Sequence, residues 1–289
     1  MCEIIFEMTA QCHRTGMTCG KEPCMVPSQG TSTVDSKPAH RLHQAFTAGN
    51  EEIYQFIADP SMDVVRAVLK NPLLEEDHVL VLLRRRDLTD DLLKAIYHMP
   101  RMTESHRLKV ALVHNPNTPG PIVLSLLPHL HLFELVAVCL LPGVMPDQRL
   151  AAERTILQRL PLTPLGNMLT VARRGTSNVV GALLKDGDPA LMDACLSNPR
   201  LRESDIFLFL DGPKATAATI SAVARHPRWQ SRLNLKLAIL KNQKTPQVWL
   251  TVFLPTLPTI ELKNLLVSSR LTAARKKEVE GELKRRGLR

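Results

Sequence analysis

Four cysteines near the start of the chain are the first residues whose type and spacing could do chemistry. Cys12, Cys19 and Cys24 could supply three thiolate ligands to zinc or an iron–sulfur cluster. Cys2 or His13 could supply a fourth ligand. The spacing C-x9-C-x6-C-x4-C contains no C-x2-C pair, the usual way in which one tight turn presents two thiolates to a metal. We therefore predict no bound metal or other cofactor here, and the metal or iron–sulfur site remains an alternative hypothesis.

The segment 1–40, which carries these cysteines, is rich in Gly, Ser, Thr, Pro and Met. That composition predicts a disordered tail. The other two cysteines, Cys139 and Cys195, stand singly inside helical patterns, so we predict no disulfide framework and a reducing, cytoplasmic environment. The first residues lack the basic start and apolar run of a secretory signal. Prolines interrupt the most apolar stretch, 122–145, so we expect no membrane span.

Basic residues are the next candidates. Arg84, Arg85 and Arg86 end a predicted helix, where cations favour the negative end of the helix dipole and could also bind phosphate. With Lys109 and Lys236, they are our candidate partner-binding residues. The alternative is an ordinary solvated run of surface charge.

Catalytic patterns are missing from the sequence. It contains no Gly-rich phosphate loop, no G-x-S-x-G elbow and no H-E-x-x-H motif. Histidines occur at predicted helix ends and in loops, without the His-x3-His pair that one helical face needs to hold a metal, and we interpret them as surface or capping residues: His98, His114, His129, His131 and His226. We therefore expect a protein without catalytic residues.

The net charge is positive and concentrated at one end. The chain has 37 Lys and Arg against 28 Asp and Glu, a formal charge of +9, and the segment 270–289 holds eight basic and three acidic residues. A basic terminus indicates nucleic-acid binding less strongly than a basic stripe along the body. Aromatic residues make up only 4% of the chain, too few for a base-stacking platform.

The chain contains an internal duplication, which indicates the order of the helices that carry these residues. Residues 41–160 align without a gap on residues 168–287, and 27 of the 120 pairs are identical. The identities include Asn, Thr and Pro residues as well as leucines at helical spacing. Within each copy, short segments carry apolar residues at i, i+3, i+4 and i+7, typical of helices with one buried face, and no segment alternates with period two.

The phrases "LVHNPNTPGP" from Leu112 and "ILKNQKTPQV" from Ile239 show how these helices are connected. Asn115 and Pro116 predict a helix end at His114, because proline cannot continue a helix. Thr118 is a predicted N-cap with Pro119 at the first helical position, and the pairs Thr163-Pro164 and Thr245-Pro246 repeat this start signal. Connections this short make consecutive helices pack side by side and antiparallel.

The segments "VRAVLKNPLLEEDHVLVLL" and "LKVALVHNPNTPGPIVLSLL" resemble the leucine-rich repeat variant, a bacterial helical repeat in which an Asn-Pro break separates two helices. The wider arrangement, from about residue 41 to the end, resembles HEAT-like repeats. The resemblance implies an interaction surface and no shared catalytic residue. Some HEAT-like proteins are DNA alkylation-repair glycosylases, but we interpret Trp229 and Trp249 as helix-packing residues.

The sequence thus predicts an all-α protein, an α-solenoid of short antiparallel helices wound into a right-handed superhelix. Its two tandem copies of about 127 residues, 41–167 and 168–289, follow the tail without a linker, and a basic amphipathic helix at 272–286 closes the chain. We expect a non-enzymatic scaffold that binds a protein partner on its concave face. The alternatives are a nucleic-acid-binding protein, which includes a DNA glycosylase, and the metal or iron–sulfur protein.

Overall fold

The computed structural model describes residues 38–287, except for the side chains of Pro38, Met102 and Thr103. The four N-terminal cysteines and most of the predicted tail lie outside these residues. Within residues 38–287 the chain is helical and contains no strand, which confirms the all-α prediction. No helix in this range is both long and apolar enough to cross a lipid bilayer.

The helices are short and follow one another closely. Up to residue 160 they are α1 (Pro38–Thr47), α2 (Asn50–Ile57), α3 (Met62–Val68), α4 (Glu76–Leu82), α5 (Asp90–Tyr97), α6 (Pro100–Glu104), α7 (His106–His114), α8 (Gly120–Leu126), α9 (Leu132–Leu140) and α10 (Pro146–Arg159). The later ones are α11 (Leu165–Arg174), α12 (Ser177–Asp186), α13 (Pro189–Leu196), α14 (Glu203–Leu210), α15 (Ala217–Arg225), α16 (Leu233–Lys241), α17 (Gln247–Phe253), α18 (Thr259–Val267) and α19 (Ala273–Arg285). α19 confirms the predicted terminal helix.

The helices lie in two rows. In one row α2, α4, α7, α9, α11, α13 and α15 contact each other in that order. In the other row α8, α10, α12, α14 and α16 do so, and α1 contacts α3. Chain neighbours such as α7 and α8, or α15 and α16, pack across the rows. The helices bury one apolar cluster, which runs from Ala45 to Leu283.

Helix bounds recur at an offset of 127 residues. α7, α8 and α9 begin and end 127 positions before α16, α17 and α18. The five-residue α6 is an exception, because the chain at 227–231 forms turns instead of a helix. The row contacts α9–α11 and α10–α12 join the two halves without an intervening linker.

Asparagine side chains hold the ends of these helices. Asn115 follows α7, which ends at His114 as predicted, and its Nδ2 donates to the carbonyls of Leu83 and Arg85, at 2.9 and 2.7 Å. The Oδ1 of Asn115 accepts the N–H of Asn117 at 3.0 Å. Carbonyls in the last turn of a helix have no partner within that helix. Equivalent contacts reach the ends of α1, α11 and α14 from Asn71, Asn198 and Asn242.

Arginines make the same kind of link. Arg159 donates to the carbonyl of Leu130, and Arg286, 127 positions later, donates to that of Leu257 at 2.8 Å. Further arginines that bind backbone carbonyls of an earlier helical turn or loop are Arg101, Arg228 and Arg275. Several of the basic residues counted in the sequence therefore hold the fold together.

The predicted helix start at Thr118 and Pro119 is wrong by one residue. Pro119 itself is the N-cap of α8, because its carbonyl accepts the N–H of Val123 at 3.2 Å. The hydroxyl of Thr118 instead donates to the carbonyl of Leu112 at 2.6 Å. Thr163 and Thr245 likewise donate to carbonyls that precede them, with Pro164 and Pro246 as the N-caps. The threonine in each pair therefore closes the preceding helical segment.

Gly187 provides a test of local backbone geometry. It ends α12 with φ of +68°, and a Cβ at this position would lie 2.9 Å from the carbonyl oxygen of Lys214. Replacing Gly187 by alanine is expected to lower the free energy of unfolding by about 1–3 kcal/mol. The matched control is Gly281→Ala in α19, where a Cβ would meet nothing within 4 Å and a gain of about 0.5–1 kcal/mol is expected. Urea denaturation measures the free energy of unfolding of both variants. Equal effects of the two substitutions would contradict the expectation that the backbone at position 187 requires glycine.

Candidate functional site

A groove of about 710 Å³ lies between α4, α7 and the loop that follows α9. Its apolar lining includes Leu80, Val110 and Ala111, and the loop contributes 141–144. Five basic or imidazole side chains also line it: Arg84, Arg86, His106, Arg107 and His114. Glu134 is the one carboxylate among the lining residues of this groove. A concave site with apolar walls and a few polar groups is the usual form of a binding pocket.

The three predicted arginines separate in the structure. Arg84 and Arg86 are exposed at the groove, and within residues 38–287 their guanidinium groups make no hydrogen bond or ion pair. Arg85 instead donates to the carbonyl of Asp59 at 2.7 Å and to the carboxylate of Asp87 at 2.6 and 2.9 Å. The hydrogen bond from Arg85 holds the pKa of Asp87 below its ordinary value. Arg84 and Arg86 are therefore available to a partner, whereas Arg85 holds the backbone.

Arg107 is held less firmly than Arg85 but, unlike Arg84 and Arg86, it has partners within the part of the chain that the structure describes. Its Nη1 lies 3.4 Å from Glu76 Oε1 and 3.3 Å from Asp77 Oδ1, both on α4, while two thirds of its side chain stays exposed, at 68%. Surface ion pairs of this kind contribute about 0–1 kcal/mol. Arg107 can therefore exchange these carboxylates for those of a partner at small cost.

The two predicted lysines do not line the groove. Lys109 is half-buried on α7. Lys236 is half-buried on α16, where its Nζ lies 3.1 Å from Thr256 Oγ1 and 5.6 Å from the ring centroid of Phe253. The structure thus places Arg84 and Arg86 together and the lysines elsewhere.

Two histidines and one glutamate meet beside the groove, which His106 and Glu134 line. His106 Nε2 lies 2.9 Å from each carboxylate oxygen of Glu134. The backbone N–H of His131, the N-cap of α9, donates to Glu134 Oε2 at 2.7 Å. The imidazole ring centroids of His106 and His131 lie 4.2 Å apart. One ligand atom from each of the three residues lies within 4.8 Å of the others, a spacing suited to a metal ion.

The charge state of Glu134 fits this arrangement. Burial acts to raise its pKa, but the hydrogen bonds from the His131 backbone and from His106 outweigh burial, so the pKa lies below the ordinary value. Glu134 is therefore ionised at neutral pH and can pair with a protonated imidazole or bind a metal cation.

Sequence reasoning missed this cluster. His131 was interpreted as a surface or capping residue, and the N-cap position agrees with that interpretation. His106 and Glu134 stand 28 positions apart, so no short motif contains them. Other side chains meet at the same separation: Tyr97 with Ser125, Ser177 with Asp205, and Trp249 with Ser221. The interval of 28 between Pro72 and Pro100 was the signal that could have found the cluster.

The groove residues belong to the first half of the chain. The positions 127 residues after Arg84 and Arg86 are occupied by Asp211 and Pro213. Leu233, Pro258 and Glu261 stand for His106, His131 and Glu134. The second half forms the corresponding helices with these different residues. The second half therefore forms its helices without these basic and imidazole side chains.

The surroundings of the buried cysteines and of the two tryptophans fit a role in packing. Burial raises the pKa of both Cys139 and Cys195 to about 12, so each thiol stays protonated at neutral pH. Trp229 is buried and donates from Nε1 to the carbonyl of Leu196 at 2.9 Å. Trp249 packs on the core and donates to Ser221 Oγ at 2.9 Å. The positions of both indoles agree with the interpretation of Trp229 and Trp249 as helix-packing residues.

Comparisons of the chain with protein-family models, with curated proteins and with solved structures gave no match.

Proposed function

We propose that the protein is an α-solenoid scaffold of two tandem copies, 41–167 and 168–289, which binds a protein partner without catalysis. The two rows of short helices, the shared helix bounds and the continuous contacts from α9 and α10 to α11 and α12 support this proposal. The resemblance to the leucine-rich repeat variant and to HEAT-like repeats supports it as well. In such stacks, binding surfaces extend over several consecutive units.

The partner segment that fits the groove is acidic and carries apolar side chains. The observation that carries this proposal is the pair Arg84 and Arg86, exposed and free of internal partners in the described part of the chain, beside an apolar wall that includes Leu80 and Val110. Arginine forms paired hydrogen bonds with carboxylates. The apolar wall would take up aliphatic side chains of the same segment.

Arg84→Glu/Arg86→Glu tests the proposal. Immobilised wild-type protein captures binding proteins from a nuclease-treated lysate of the source organism, and mass spectrometry identifies them. A captured partner should bind the double variant about tenfold or more weakly, since each charge-assisted hydrogen bond contributes roughly 1.5–3 kcal/mol.

The control variant is Arg173→Glu/Arg174→Glu, which makes the same change of charge at two exposed arginines in the last turn of α11. This variant should retain the partner. If both variants lose it equally, net charge rather than the groove governs binding. If nuclease treatment of the lysate removes the interaction, the bound species is nucleic acid and the proposal of a protein partner is wrong.

A further inference from the structure

The arrangement of His106, His131 and Glu134 extends beyond what a structural ion pair requires. The link between His106 and Glu134 joins α7 to α9, and a single imidazole satisfies it. His131 adds a second ring, which is exposed to solvent and lies against His106 with 39° between the ring planes. Two imidazoles beside one ionised carboxylate are a common donor set for zinc and related divalent ions.

The second half of the chain shows that the helices form without this donor set. α18 has the same length as α9 and keeps the glutamate as Glu261, but Pro258 and Leu233 replace the two histidines. Pro258 also lacks the N–H that His131 donates to Glu134. α18 thus forms without either histidine, and in α9 the hydrogen bond from His131 to Glu134 comes from the backbone, which leaves the His131 imidazole available for another role.

We propose that His106, His131 and Glu134 bind one divalent transition-metal ion of the zinc class. Three protein ligands leave a coordination position for water or another ligand, as in open zinc sites. His106 and Glu134 line the groove, so that open position would lie beside it. The site does not depend on the identity of any partner.

The geometry requires two adjustments. Two ligand atoms at about 2.1 Å from a tetrahedral metal lie roughly 3.4 Å apart. His106 Nε2 and the Glu134 oxygens are 2.9 Å apart, so they must separate by about 0.5 Å, whereas ligand atoms as far apart as 4.8 Å must approach by about 1.4 Å. The ion replaces the proton shared between these atoms, and the exposed His131 ring can turn toward it.

Cobalt(II) titration of the full chain tests the site. Co²⁺ occupies zinc sites and gives visible absorption that reports the coordination, whereas thiolate ligands add a sulfur-to-metal charge-transfer band in the near ultraviolet. We expect one bound Co²⁺ without that band, displaced by Zn²⁺. Binding to the N-terminal cysteines would instead show the thiolate band, so the two sites are distinguishable in the same sample.

His131→Gln is the decisive variant, because the side chain is exposed and its loss should leave the fold intact. His106→Gln is the second variant. Each should weaken Co²⁺ binding by more than the roughly 10–100-fold that loss of an outer-shell partner costs. The control is His129→Gln, an exposed histidine two positions from His131. Unchanged Co²⁺ affinity in His131→Gln or His106→Gln, an equal loss in His129→Gln, or a spectrum with only the thiolate band would overturn the proposal.

Discussion

Replacing Asn198 by alanine is expected to lower the free energy of unfolding by about 3–5 kcal/mol. The Asn198 side chain is 1% exposed. Its Nδ2 donates to the carbonyls of Ala172 and Gly175 at 2.7 and 3.3 Å, and its Oδ1 accepts the N–H of Arg200 at 2.7 Å. The substitution leaves three backbone groups without these partners, at about 1–3 kcal/mol for each group that stays buried. Urea denaturation followed by circular dichroism measures the loss.

Two further variants separate hydrogen bonding from packing. Asn198→Asp keeps the volume but replaces the donor by a carboxylate that faces two carbonyl oxygens, so it should destabilise at least as much as alanine. Asn242 is half-buried and donates to only one carbonyl, that of Leu210, so Asn242→Ala should cost less, about 1–2 kcal/mol. A near-native stability for Asn198→Asp would show that the donated hydrogen bonds contribute little.

The isolated first half, residues 41–160, is expected to be less stable than the full chain and to associate. Cutting there removes α11 and α12, which contact α9 and α10. α9 and α10 would lose the cover that α11 and α12 provide, and apolar surface on α9 and α10 would become exposed. Each large apolar side chain exposed costs about 1.5–3 kcal/mol, so the loss should reach several kcal/mol.

Thermal denaturation and sedimentation velocity check this expectation. The half-chain should melt at a lower temperature than the full chain, and its apparent mass should rise with concentration because apolar surface is exposed. Adding residues 161–210, which restore α11 to α14, should recover part of the stability in a monomer. A monomeric 41–160 fragment as heat-stable as the full chain would mean that the two halves are independent domains.

The sequence predicted features that short-range chemistry determines. The Asn115-Pro116 stop was right to the residue, because proline excludes a continued helix whatever surrounds it. The Thr118 cap was wrong by one position, since two consecutive residues both suit a helix start and the choice depends on where the hydroxyl finds an acceptor. That acceptor, the carbonyl of Leu112, lies in the previous helix.

The candidate site could be predicted only in part. Arg84 and Arg86 were identified as a charge cluster, but nothing in the run of three arginines shows that the middle one turns to the backbone of Asp59. To predict the cluster of His106, His131 and Glu134, one must know which residues of neighbouring helical units lie side by side. The helical period alone does not give this register. The interval of 28 residues between Pro72 and Pro100 supplies that register for some units. The next proline, Pro116, follows Pro100 after only 16 residues, so one interval could not be applied throughout.

The side-chain links between units have a consequence for how the chain folds during synthesis. Asn115 reaches back 30 to 32 residues, Asn198 23 to 26 and Arg286 29 to 32. None of these links requires the two ends of the chain to meet, so the cost of closing loops stays low and local contacts dominate. The carbonyl groups that Asn115, Asn198 and Arg286 bind gain their donors once 23 to 32 more residues have been added to the chain. The described part of the chain can thus gain structure in the order in which it is made, and Arg286 joins its helix to the turn at Leu257 only after 29 more residues have been added.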